Sequence, residues 1–115
     1  MSRVLIVEPD PLIAEFIEKG LREAGVETLT VDMLPARDRL AEFDLVLIDD
    51  RVVADPAGGL TTRLADELSV PLVVLTGNGR TADTMAALGD TQADVISKPF
   101  RFSDLLSLIE RRLAE

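Results

Sequence analysis

The chain has 115 residues, 47% of them apolar, with 12 basic side chains against 21 acidic ones and a formal net charge of −9. That is enough for one hydrophobic core and too little for two, and the acidic balance argues against nucleic acid, whose phosphates need a basic face. Without cysteine or histidine the chain has no disulfide framework, no thiolate and no imidazole chemistry. Without Trp or Tyr it also lacks platforms for base stacking. Its longest apolar runs are four to six residues, so no membrane span is expected. The N-terminus enters a strand pattern at once, which leaves no room for a signal peptide and makes a cytoplasmic location the expectation.

In chain order, residues 3–8, Arg-Val-Leu-Ile-Val-Glu, read as a buried strand ending in an acid. Asp10-Pro11 then supplies an N-cap followed by proline at the first helical position. Ile13, Phe16, Ile17, Leu21 and Ala24 recur at helical spacing, and Gly25 marks the stop. A short alternating strand follows at 26–31, then a weakly patterned, charged helix at 35–43. Leu45 to Asp49 is the most strongly strand-like stretch and runs straight into the carboxylates of Asp49 and Asp50. Residues 50–59 form a loop by their Pro and Gly content, and Leu60, Leu64, Ala65 and Leu68 outline a third helix. Pro71 to Thr76 is another apolar strand, with Pro71 acceptable at its first position. Gly77-Asn78-Gly79 is a turn, Arg80 to Leu88 a short helix, and Ala93 to Ser97 the last strand, ended by Lys98-Pro99. Phe102, Leu105, Leu106, Ile109 and Leu113 place the final helix on the core, with Leu108 at the edge of the stripe.

Five strands alternating with helices and joined by short connections predict an α/β domain. Its parallel sheet should be doubly wound, in the order 2-1-3-4-5, with helices on both faces. In that order the switch point lies between the first and third strands, where open α/β sheets put their chemistry. Glu8 and Asp10 should then lie beside Asp49, with Thr76 and Lys98 arriving from the neighbouring strand ends. Acids, a hydroxyl and an ammonium thus converge from four strand ends.

Val-Leu-Ile-Val-Glu-x-Asp at 4–10, Asp-Leu-Val-Leu-Ile-Asp at 44–49, Leu-Val-Val-Leu-Thr-Gly at 72–77 and Ser-Lys-Pro-Phe at 97–100 together resemble the successive motifs of one family. It is the receiver domain of bacterial two-component response regulators, and the resemblance covers essentially the whole chain. It implies a flavodoxin-like fold, with Asp49 as phosphoacceptor taking its phosphoryl group from a phosphohistidine on a sensor histidine kinase or a phosphotransfer protein. Thr76 and Lys98 would each bind a phosphoryl oxygen. Glu8, Asp10 and Asp49, with the backbone carbonyl of Arg51, would hold Mg²⁺. An effector would dock on the face formed by residues 80–113, and self-association into a homodimer is a further expectation.

Three positions depart from the family pattern. Pro9 stands where a second acid commonly ligates the metal; it offers no ligand and restricts Glu8 to extended geometry, so Mg²⁺ should bind more weakly unless Asp10 or Asp50 turns inward. Val53 and Ala57 stand where the loop after the acceptor tends to have Pro and Gly, as if Pro56 and Gly58 were displaced. Val95 stands where an aromatic switch residue is usual. Plainer readings run alongside: Asp49 and Asp50 as solvated acids, Asp10 as a cap alone, Thr76 as a strand-end hydroxyl, and Arg51 as a solvent-facing loop residue rather than a stand-in for metal charge.

The resulting expectation is a single receiver domain over 1–115 without an output module. It would be a phosphorylation-controlled switch and not an enzyme beyond its own phosphoryl transfer. A degenerate receiver working without phosphorylation is the first alternative. A small metal-dependent phosphohydrolase ranks below it, because Arg51 stands where such enzymes carry a second acid. A flavin-binding protein ranks last, because Glu8-Pro9-Asp10-Pro11 cannot cradle a phosphate as a Ser, Thr and Gly loop does.

Overall fold

A computed structural model describes residues 2–33, 35–52, 69–77 and 93–114. Five parallel strands, β1 (Arg3–Val7), β2 (Glu27–Val31), β3 (Leu45–Asp49), β4 (Leu72–Thr76) and β5 (Asp94–Ser97), form one sheet in the order β2-β1-β3-β4-β5. The helices among the described residues are α1 (Pro11–Glu23), α2 (Arg37–Leu40) and a C-terminal helix at Phe102–Leu113. Strand bounds fall within a residue of those expected, and the order is the predicted one. The predicted helices at 60–68 and 80–88, and the loop and turn positions 53–59 and 78–79, lie outside the described residues.

The side-chain alternation of each strand sorts the core into two layers. Val4 and Ile6 of β1, Leu45 and Leu47 of β3, and Val73 and Leu75 of β4 face Ile17 and Leu21 of α1 and Leu105 and Ile109 of the C-terminal helix. The intervening Leu5, Val7, Val46, Ile48, Leu72 and Val74 form the other layer with Leu40 and Phe43. Every residue of β3 and β4 is buried, which is why both read as unbroken apolar runs. Leu108 is half-buried against the first layer; it extends the core rather than an exposed patch.

The ends of α1 follow from its sequence. Asp10 Oδ1 accepts the backbone N–H of Leu12 at 3.0 Å and, more weakly, of Ile13 at 3.4 Å, and such a cap contributes about 1 kcal/mol. At the other end Gly25 adopts φ +84°. The Val26 N–H returns to the Leu21 carbonyl at 2.9 Å and the Gly25 N–H to that of Arg22 at 3.0 Å, the paired bonds of a Schellman stop. The second helix is shorter than the expected 35–43. Its segment has few apolar residues, so a single turn suffices to bury Leu40. The chain then turns to bury Phe43 and to bring the Asp44 carboxylate within 2.7 Å of the Arg3 N–H.

Gly20 marks a close approach of α1 to the C-terminal helix. A Cβ there would lie within 2.7 Å of three ring atoms of Phe102, whose ring meets Phe16 edge-on at a centroid distance of 5.8 Å. Gly→Ala inside a helix ordinarily stabilises by about 1 kcal/mol. Here Gly20→Ala should instead destabilise by about 1–3 kcal/mol through overpacking, measured by urea unfolding. In a Phe102→Leu background the same substitution should become neutral or stabilising. A gain in the wild-type background would contradict the packing account.

Candidate functional site

The site is built by register. β1 and β3 pair Val7 with Ile48, so one step further Glu8 and Asp49 stand side by side. By alternation both lie on the face of Ile6 and Leu47. Adjacent strands are about 4.8 Å apart, and two charges at that separation repel by about 3 kcal/mol at an effective dielectric near 20. Both side chains are fully buried, so the pair requires cations.

Lys98 provides one. Its N–H donates to the Thr76 carbonyl at 2.6 Å, which extends the β4–β5 ladder by one residue. From there Nζ donates to Glu8 Oε1 at 2.9 Å and also to Asp49 Oδ2. Arg51 provides the other. Asp49 to Val52 is a turn closed by the Val52 N–H on the Asp49 carbonyl at 3.0 Å, and the Arg51 N–H donates to Asp49 Oδ1 at 2.8 Å. The turn folds the guanidinium back over the acids. Nε donates to Asp49 Oδ1 at 2.9 Å, and Nη2 donates to Asp49 Oδ2 and to Glu8 Oε2, each at 3.2 Å.

The two carboxyls respond differently. Burial pushes Glu8 above its ordinary 4.5; the Lys98 hydrogen bond opposes this and the neighbouring Asp49 charge adds to it. Burial acts on Asp49 in the same sense, but hydrogen bonds from the Arg51 side chain, from Lys98 and from the Arg51 N–H overcome it and hold that carboxyl well below the usual carboxylate range. The Glu8 oxygens accept from the Asp10 N–H, Arg51 Nη2 and Lys98 Nζ, as suits an ionised carboxylate, which can only accept.

Of the residues expected to gather here, Glu8, Asp49, Lys98 and Arg51 meet directly. Thr76 is fully buried at the end of β4, in register with Ser97. Asp10 is engaged as the cap of α1. Asp50 is buried, with its N–H on the Leu75 carbonyl at 2.9 Å. Among the described residues no three acids come together in a group able to hold a metal ion. The set Glu8, Asp10 and Asp49 therefore does not fit a tightly held divalent ion. Pro9 removes one donor, α1 engages another, and a guanidinium spans the remaining two. The reading of Arg51 as a solvent-facing loop residue is corrected: its side chain is 43% exposed yet bonds both acids. The clue was its place two residues after an acid that ends a buried strand, where a turn carries the side chain back. Val95, at the usual aromatic position, packs into the second core layer.

An open cavity of about 580 Å³ adjoins the cluster, with Leu12 and Phe16 of α1 and Pro99 and Phe100 among its walls. Arg51 and Lys98 also line it, whereas Glu8 and Asp49 lie behind them.

The Asp49 shift has a consequence for stability. The folded chain binds its proton less readily than the unfolded chain, so the associated stability is full above 3.8 and is lost as pH falls through the lower folded value. Glu8 acts in the opposite sense at higher pH. Relative to Asp49→Asn, the wild type should lose stability as pH is lowered below about 3.8 in urea titrations. A difference constant between pH 7 and pH 3 would contradict the ion-paired assignment.

A family model described as the response regulator receiver domain matches residues 4–110. The chain is 31% identical over 115 residues to the DNA-binding response regulator MtrA of Mycolicibacterium smegmatis, covering 97% of this chain and 50% of MtrA. It is 32% identical over 112 residues to the transcriptional regulatory protein CutR of Streptomyces coelicolor, covering 93% and 51%. The chain thus spans about half the length of these curated relatives. Among solved structures it superimposes on the receiver domain of the sensor histidine kinase PA1611 from Pseudomonas aeruginosa, determined with magnesium coordinated in its active-site cleft. That match has a TM-score of 0.73 and 25% identity, and covers 99% of this chain and 98% of that one. NtrX from Brucella abortus gives a TM-score of 0.77 at 22% identity, covering 99% and 27%. No described helix is long and apolar enough to cross a membrane. The chain belongs to the receiver domain family of response regulators, the phosphorylation-controlled switches of two-component signalling.

Proposed function

We propose that Asp49 is the phosphoryl acceptor of this receiver and that its modification controls the binding of a partner protein. The observation that carries the reading is one buried carboxylate, at the carboxyl end of the central strand, bonded by two cations at once. An Asp49 oxygen attacks the phosphorus of a phosphohistidine on a sensor kinase or phosphotransfer protein. The P–N bond breaks, its electron pair stays on the imidazole nitrogen, which takes up a proton, and an acyl phosphate forms on Asp49. Lys98 and Arg51, already against the acceptor, re-pair with the phosphoryl oxygens and offset the charge that arrives. Thr76, at the adjoining strand end, donates to a further oxygen.

Because Arg51 and Lys98 line the cavity in front of the acids, the phosphodonor approaches over Leu12, Phe16 and Phe100. The three acids expected to hold Mg²⁺ do not gather, so no step is assigned to the ion. Effector docking on the 80–113 face is proposed from the family resemblance alone; its described part includes the exposed Ser103, Asp104, Ser107 and Glu110 of the C-terminal helix. A cytoplasmic location accords with a kinase partner.

Acetyl phosphate with Mg²⁺ should give a phosphoryl adduct on the intact protein, seen by mass, that is absent in Asp49→Asn. Lys98→Ala should slow adduct formation by about 10²-fold, the scale of losing one preorganised charge-stabilising donor. No adduct at any Mg²⁺ concentration would reject phosphoacceptance and leave the degenerate receiver.

A further inference from the structure

Glu8 and Asp49 are matched by Lys98 and Arg51, and the position of one cation is informative. Arg51 Nη2 touches an oxygen of each acid, Asp49 Oδ2 and Glu8 Oε2, both at 3.2 Å. That is a position between the two acids, whose side chains are joined through both shared cations. Pro9 offers no ligand, Asp10 Oδ1 is engaged on the N–H groups of α1, and the described acids form no group of three for an ion that enters beside the guanidinium. An arginine stays charged at every working pH, and its planar fork matches carboxylate oxygens in a way a lysine does not. The guanidinium is also covalently tethered, two residues from Asp49 and held there by its own N–H on Oδ1, so it competes at a high effective concentration with any ion in solution.

We propose that Arg51 is the resident cation of this site: it takes the place of the divalent ion between Glu8 and Asp49, so the protein excludes the ion and removal of the guanidinium admits it. The inference deepens the reading of Asp49 as acceptor but is tested apart from it, on the carboxylates alone.

The probe is Mn²⁺, followed by the electron paramagnetic resonance signal of the free ion during titration of the full chain. Wild type should leave the signal unchanged at millimolar concentration. Arg51→Ala and Arg51→Gln should each take up Mn²⁺ about tenfold more tightly or better, and Glu8→Gln added to either should abolish the uptake. Arg51→Lys, still cationic but without the fork, should fall between. Equal uptake by wild type and Arg51→Ala, uptake by neither, or uptake that survives Glu8→Gln would each overturn the proposal. Failure to form an acyl phosphate would reject the acceptor reading without touching this result, and the converse also holds.

Discussion

Two carboxylates forced side by side at the ends of neighbouring parallel strands are the constraint on which this site depends. Neither Glu8 nor Asp49 reaches water, and their separation is fixed by the sheet rather than by side-chain choice. An unpaired buried charge costs several kcal/mol, so the chain has to deliver positive charge to one point from two directions. Lys98 comes from the end of β5 and Arg51 from the turn after β3, and each donates to both acids. The remaining architecture, with α1 and the C-terminal helix on one face and α2 on the other, keeps that edge of the sheet aligned.

Most of the fold could be read from residue patterns because its central strands are buried on both faces. Leu45–Asp49 and Leu72–Thr76 admit no polar interruption, and their apolar runs stop at the residues that carry chemistry. Asp10-Pro11 and Gly25 punctuate α1 as local rules require, since caps depend on the nearest few residues. The segment at 35–43 was less legible. Among its described side chains only Leu40 and Phe43 are buried, and how many helical turns serve that purpose is decided by tertiary packing rather than by propensity.

The site was legible in its types and less so in its wiring. Glu8, Asp49, Thr76 and Lys98 declare themselves as strand-end residues of unusual polarity. Which of Asp10, Asp50 and Arg51 turns toward Asp49 depends on loop geometry that no periodicity encodes. A capping carboxylate and a metal-ligating one look identical in sequence, and so do an arginine in solvent and an arginine folded over acids. Pro9 was the informative departure, since it removes a donor without ambiguity, and the arrangement of Arg51 is its complement.

The Lys98 backbone bond to Thr76 gives the two cations unequal freedom. Lys98 is an anchored post, rooted in the hydrogen-bond ladder between β4 and β5, and only its side-chain stem can adjust. Arg51 is a swinging arm, carried on a turn and half open to solvent. When a group of several oxygens enters the cavity, the arm has more room to move than the post. Rearrangement then begins at the β3 turn, while the edge formed by β4 and β5 serves as the fixed reference for the incoming charge.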